Sequence, residues 1–158
     1  PRRKEDAQPM GPRARLNDMH LTGLVDHTES ILKPEESRTR HLLVVDDDPG
    51  VQDLIHDVLS GAGYRVETAF DSREAMERIA EKNYDGLVLD LVLPAEDGLA
   101  LYERILELNP YLRNRIVFIS GEAREHQLKR VIRKTGVQVL KKPFNILDLL
   151  KVLQDRGV

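Results

Sequence analysis

From His41 onward the chain alternates between two hydrophobic periods. Five apolar runs, LLVVD (Leu42–Asp46), YRVETA (Tyr64–Ala69), GLVLD (Gly86–Asp90), RIVFIS (Arg115–Ser120) and VQVLK (Val137–Lys141), are read as strands. The segments between them carry apolar residues at helical spacing. Residues 50–61 put Val51, Leu54, Ile55, Val58 and Leu59 on one stripe, which Gly61 and Gly63 end. Asp71 or Ser72 caps a second helix that runs to about Lys82 and carries Ala75, Met76, Ile79 and Ala80 inward. A third helix over Gly98–Leu108 stops at Asn109-Pro110, a fourth covers 123–134, and a fifth closes the chain over Asn145–Gln154. Parallel strand pairs need crossovers that helices supply, and such sheets are covered on both faces. The pattern predicts an α/β fold with a doubly wound five-stranded parallel sheet of order 2-1-3-4-5. The first and third strands are then neighbours, and their carboxyl ends flank the crevice where such sheets bind ligands.

Residues 1–40 stand apart. PRRKEDAQPMGPRAR is rich in Pro and charge and has no apolar period, so it reads as a linker or disordered segment. Leu16, Met19, Leu24, Val25, Ile31 and Leu32 supply one weak amphipathic helix before Lys33-Pro34 interrupts it. The expected division is an extension over 1–40 and a domain over 41–158. A chain of 158 residues, 41% hydrophobic, buries one core of ordinary size. Cysteine is absent, which excludes disulfides and thiolate metal sites. There is no apolar run long enough to span a bilayer and no signal segment, so a cytoplasmic protein away from the membrane is expected. A net charge of -3 with pI ≈ 6.0 gives no field that draws the chain onto nucleic acid, and no direct nucleic-acid partner is expected. The chain begins at Pro1 rather than Met, which suggests an excised fragment or a processed chain.

The strand ends carry the chemistry. Asp46-Asp47-Asp48 follows the first strand, Asp90 ends the third, Ser120 ends the fourth, and Lys142 follows the fifth. Carboxylates pressed together repel, and a hard divalent cation held by oxygens relieves them; Mg2+ does so while retaining waters. Lys142 adds a mobile positive charge and Ser120 a hydroxyl donor. A carboxylate nucleophile, a bridging metal, a cation and a hydroxyl are the parts that phosphoryl transfer requires. Singly, each has an ordinary structural reading: Asp after a strand caps the next helix, and a lone Ser or Lys in a loop is solvated. The conjunction is what discriminates.

In these residues the chain resembles the receiver domain of response regulators, the flavodoxin-like switch of two-component signalling. LLVVDDDP is similar to the family's first strand and acidic pair, DLVLPAEDG to its phosphoacceptor strand and loop, FISGEA to its hydroxyl position and KKPF to its lysine-proline turn. The likeness runs from about His41 to the C-terminus. It implies that Asp90 is phosphorylated and that Asp47 ligates Mg2+ directly, with Asp90 and the backbone carbonyl of Val92. Asp46 holds the ion through water. Ser120 and Lys142 meet the phosphoryl group, and the Lys142-Pro143 bond is a candidate for the cis isomer. Asp48 caps the first helix, with Pro49 in its first turn. Two positions depart from the commonest pattern: Val139 stands where many receivers have an aromatic, and Ser120 replaces Thr. Val92 and Glu122 occupy positions that tune how fast the phosphoryl group is lost.

The resemblance implies a bacterial phosphoacceptor protein rather than an enzyme with its own ATP site. Its partners are a histidine kinase or histidine phosphotransfer protein and an unknown downstream effector. The change on phosphorylation falls on the fourth helix and fifth strand. With no output domain after Val158, the expected setting is a stand-alone regulator or the receiver of a hybrid histidine kinase. A homodimer through the fourth and fifth helices is a further expectation, since Leu128, Val131, Ile132, Ile146, Leu149, Leu150 and Leu153 are apolar, although most of them belong to the core. His20 and His27 lack the surroundings of a phosphohistidine helix. Two rival readings are a receiver fold that serves only as an interaction module and a phosphatase of the haloacid-dehalogenase type. The latter uses Asp46-x-Asp48, Ser120 and Lys142, but it leaves DLVLPAEDG without a role and lacks a later acidic pair on a strand.

Overall fold

The computed structural model describes residues 38–121, 125–137 and 139–158. The predicted extension lies almost wholly outside them, as do its weak helix, His20, His27 and Glu122. Thr39–Val158 groups as one unit. Its elements run β1 (His41–Val45), α1 (Pro49–Gly61), β2 (Arg65–Ala69), α2 (Ser72–Glu81), β3 (Gly86–Asp90), α3 (Gly98–Leu108), a 3-10 turn (Pro110–Asn114), β4 (Ile116–Ser120), α4 (Glu125–Thr135), β5 (Val139–Lys141) and α5 (Ile146–Asp155). The five strands form one parallel sheet in the order β2-β1-β3-β4-β5. Fold class and strand order agree with the sequence reading.

Strand alternation sorts the core into two layers. Leu43, Val45, Leu87, Leu89, Ile116 and Phe118 face one side and pack with Ala75 and Ile79 of α2, Leu101 and Ile105 of α3, and Leu128 and Val131 of α4. Leu42, Val44, Val88, Val117 and Ile119 face the other and pack with Ile55 and Leu59 of α1 and Leu149, Val152 and Leu153 of α5. Each fully buried aliphatic side chain contributes about 1.5 to 3 kcal/mol, which is why the central strand β3 is apolar throughout until its last residue.

The caps stop each helix where the site needs a loop. Asp48 accepts from the amides of Gly50 and Val51, with Pro49 in the first turn, as the sequence indicated. Asp71, not Ser72, caps α2, and Asp97 and Asn145 cap α3 and α5. At the end of α1 the left-handed turn falls on Gly63 (φ 93), whereas Gly61 is still helical. Two inward assignments do not hold. Leu54 is 57% exposed and Ala80 is exposed. Both are one position, about 100°, around the helix from residues that take the sheet contact, Ile55 and Ile79. The fifth strand is shorter than VQVLK, with its described part starting at Val139, and the 3-10 turn after Asn109 was not foreseen. Among the described residues no helix is long and apolar enough to cross a membrane.

On the edge strand β2, Glu67 gathers a polar hub. It accepts from Lys82 Nζ (2.7 Å), Tyr84 Oη (2.7 Å) and Arg78 Nη1 (3.3 Å). The Lys82 hydrogen bond, partly opposed by burial and aided by Tyr84, holds its carboxyl down at about 2. A depressed carboxyl stabilises the fold above its ordinary value and loses that contribution as pH falls toward the folded value. Glu67→Gln is therefore expected to lower stability by about 1 to 2 kcal/mol near neutral pH, after allowance for screening at a partly exposed group. The gap from wild type closes as pH falls from about 5 to about 2. Urea unfolding across that range measures it, and a gap independent of pH would refute the assignment.

Candidate functional site

The parallel register brings the chemically active residues to one rim. Val45 pairs with Leu89, so the next residues of β1 and β3, Asp46 and Asp90, emerge side by side. Asp46 is wholly buried and Asp90 is 4% exposed. Two such carboxylates in low dielectric repel strongly, and one cation lies between them: Lys142 Nζ is 2.6 Å from Asp46 Oδ2 and 2.8 Å from Asp90 Oδ2. Lys142 arrives from the far edge of the sheet, where its amide donates to the Ser120 carbonyl (2.7 Å) and its bond to Pro143 is cis.

The remaining oxygens are also accounted for. Asp46 Oδ1 accepts from the Asp48 amide (2.9 Å), and Asp90 Oδ1 accepts from the Val92 amide (2.9 Å). Burial pushes the Asp46 carboxyl up, and Lys142 offsets that only in part. Burial opposes the Lys142 charge, but its hydrogen bonds to Asp46 and Asp90 outweigh that and raise it. Asp47 differs: it is half-buried and makes no hydrogen bond or ion pair with another described residue. A cleft of about 480 Å³ opens here, lined by Asp47, Asp48, Pro49, Asp90, Val92, Gly121 and Lys142. Carboxylate oxygens of Asp46, Asp47 and Asp90 all lie within 4.8 Å of one another, an oxygen-only set that suits a hard divalent cation.

Of the sequence-predicted residues, Asp46, Asp47, Asp90 and Lys142 converge, and Val92 lines the same cleft. Ser120 lies at the end of β4, 3% exposed, beside the cleft-lining Gly121. Val139 is half-buried against the α2–α3–α4 side of the core. Asp48 is spent on capping α1, which removes the second acid that the phosphatase reading needs. Two contributors escaped the sequence reading. Gly98 sits where a Cβ would strike the Asp90 carbonyl, so α3 can begin directly against the strand end. Gln52, on the first turns of α1, donates to the carbonyls of Asp46 (2.6 Å) and Ala69 (2.8 Å). A glycine opening a helix is a weak sequence signal, and a glutamine on a helix is none.

A model of the response regulator receiver domain matches residues 42–154. The chain belongs to the response regulator receiver domain family. This receiver is 30% identical over 115 residues to the response regulator receiver protein CpdR of Brucella abortus, covering 73% of this chain and 94% of that one. To the transcriptional regulatory protein DltR of Streptococcus agalactiae it is 30% identical over 109 residues, 69% of this chain but only 48% of the relative, so it spans about half the length of that regulator. Among solved structures, a Burkholderia pseudomallei response regulator with a phosphorylated aspartic acid, calcium ion and citrate superposes with TM-score 0.65 at 27% identity, covering 75% of this receiver and 69% of that chain.

Lys142 is the charge that makes the buried pair tolerable. Lys142→Met is expected to lower stability by about 2 to 4 kcal/mol near neutral pH, because two desolvated carboxylates lose their shared cation. Asp46 already has a raised folded value, and losing the ammonium raises it further; such a carboxyl destabilises the fold above that value and is relieved below it. The deficit should therefore shrink as the solution is acidified. Denaturant unfolding at neutral and mildly acidic pH measures this, and a deficit that grows with acidification contradicts it.

Proposed function

We propose that this receiver is a phosphorylation switch in which Asp90 accepts a phosphoryl group from the phosphohistidine of a histidine kinase or histidine phosphotransfer protein. The observation that carries the reading is the meeting of Asp90 Oδ2 with Lys142 Nζ at 2.8 Å, in a cleft where Asp47 has no described counter-charge. Mg2+ suits this site: Asp47, Asp90 and the Val92 carbonyl would hold it directly and Asp46 through water. When bound, the ion supplies positive charge that offsets the carboxylates and the incoming phosphoryl oxygens. A carboxylate oxygen of Asp90 attacks phosphorus, the P–N bond to the donor imidazole breaks, and its electron pair returns to the ring nitrogen. Asp90 is buried on a rigid central strand, so its oxygen is held in place for attack. The related Burkholderia regulator carrying a phosphorylated aspartic acid and a calcium ion supports both the acceptor chemistry and the divalent site.

The product adds about -1.5 to -2 charge and new acceptor oxygens. Lys142 then exchanges a carboxylate partner for a phosphoryl oxygen, and Ser120 turns its hydroxyl toward the group. With Val139 in place of an aromatic, the response passes through α4, which ion pairs tether to α3 and its cap: Lys134 to Glu103 (2.8 Å) and Arg130 to Asp97 (3.8 Å). The surface of α4 and β5 is what a downstream effector or a second copy of the receiver reads. The setting is a cytoplasmic two-component pathway.

Incubation with a small-molecule phosphoryl donor and Mg2+, followed by intact-protein mass spectrometry, tests the reading. Wild type is expected to gain one phosphoryl mass, and the gain should vanish on chelation of the metal and in Asp90→Asn. No gain in wild type, or an equal gain in the Asn variant, would sink the proposal.

A further inference from the structure

The acidic turn after β1 is braced from below by a side chain outside it. Gln52 projects from α1 so that its amide nitrogen lies 2.6 Å from the Asp46 carbonyl and 2.8 Å from the Ala69 carbonyl. Both partners are carbonyl oxygens and accept only, so the –NH2 end must face them, and its two hydrogens are both used. The Ala69 carbonyl receives a second donor, the Asp46 amide at 3.2 Å. Gln52 thereby ties the end of β1 to the end of β2 at the peptide that joins Asp46 to Asp47. The plane of that peptide sets the direction in which the Asp47 side chain leaves the chain. The Asp46 carboxylate has fixed partners in Lys142 and the Asp48 amide, whereas the Asp47 carboxylate has none among the described residues. Its placement therefore rests on the backbone, which Gln52 holds together with the Asp46 amide and the Asp48 amide.

We propose that Gln52 is a positioning residue for divalent-cation binding: by clamping the Asp46–Asp47 peptide to β2 it holds the Asp47 carboxylate aimed into the cleft. The inference rests on the reading of the cleft as a Mg2+ site and extends it to a residue that touches neither metal nor phosphoryl group. Groups that orient metal ligands from behind typically change affinity by about 10- to 100-fold when removed. Two variants separate donor from shape: Gln52→Met keeps the length and loses both donors, and Gln52→Asn keeps the donors but is one methylene too short to span both carbonyls.

Calorimetric titration of the unphosphorylated protein with Mg2+ alone is the readout, with thermal unfolding in the absence of metal measured alongside. Both variants are expected to bind Mg2+ at least about 10-fold more weakly than wild type. Ile55→Val, which trims the core under the same helix without touching the turn, should lose stability and keep wild-type affinity. Wild-type affinity in Gln52→Met, or in Gln52→Asn should the Met variant not fold, overturns the proposal. So does an affinity loss in Ile55→Val that scales with its loss of stability. Absence of Mg2+ binding in wild type itself overturns the metal reading, and this inference with it.

Discussion

Three carboxylates crowd onto the carboxyl edge of a parallel sheet, and the rest of the domain is arranged around that repulsion. At separations of 4.8 Å or less, two unit charges in a partly screened protein site oppose each other by about 3 kcal/mol or more. Three such pairs are a large fraction of the net stability of a domain this size. Lys142 neutralises one charge and is shared between Asp46 and Asp90. Asp46, Asp47 and Asp90 against one ammonium leave two negative charges in the cleft. That remaining negative charge suits a divalent cation, whose two positive charges would offset it.

Such stress is tolerable because the elements that impose it are among the most rigid in the molecule. β1 and β3 lie inside the sheet with neighbours on both sides, and their apolar residues are locked into the two core layers. Asp46 follows β1 directly and Asp90 ends β3, so burial of Val44, Val45, Val88 and Leu89 fixes where the carboxylates stand. Gly98 brings the start of α3 against the Asp90 backbone, and Gln52 draws the first turns of α1 onto the ends of β1 and β2. The edge strand β2 handles charge differently: Glu67 is surrounded by Lys82, Arg78 and Tyr84, all within hydrogen-bonding distance. The acid on the edge strand is neutralised within the chain, and the acids at the carboxyl rim are left short of cations.

What the sequence made legible follows from how strongly each feature is imposed. Strand and helix identity were readable because continuous apolar runs and 3.6-residue stripes answer directly to burial. The convergence of Asp46, Asp47, Asp90 and Lys142 was readable because a doubly wound sheet admits one rim for strand-end residues. Edges of burial were not: Leu54 and Ala80 sit at the margin of their stripes, where a few tens of degrees of helix rotation decide exposure. Gln52 was invisible because its role depends on the distance between a helix side chain and two strand carbonyls, which no local pattern encodes. Gly98 was read as the start of a helix, while its reason for being glycine, the Asp90 carbonyl beneath it, is a tertiary contact.

The same contacts bear on how a change at Asp90 reaches the surface. In a receiver whose fifth strand carries an aromatic, that ring offers a lever between site and exterior; Val139 is too short to serve as one. Here the connection that geometry provides runs along the backbone. Asp90 leaves no room for a Cβ at Gly98, the Gly98 amide donates to the Leu91 carbonyl (3.0 Å), and Asp97, which caps α3, is paired with Arg130 of α4. The Arg130 pair is long and half-exposed, hence weak, and the Lys134–Glu103 pair is exposed as well. A shift of α4 on phosphorylation, as proposed above, would work against a few tenths of a kcal/mol per exposed pair rather than against a packed core. The buried face of α4, anchored by Leu128 and Val131, would then limit how far the helix moves, and the exposed tethers how readily.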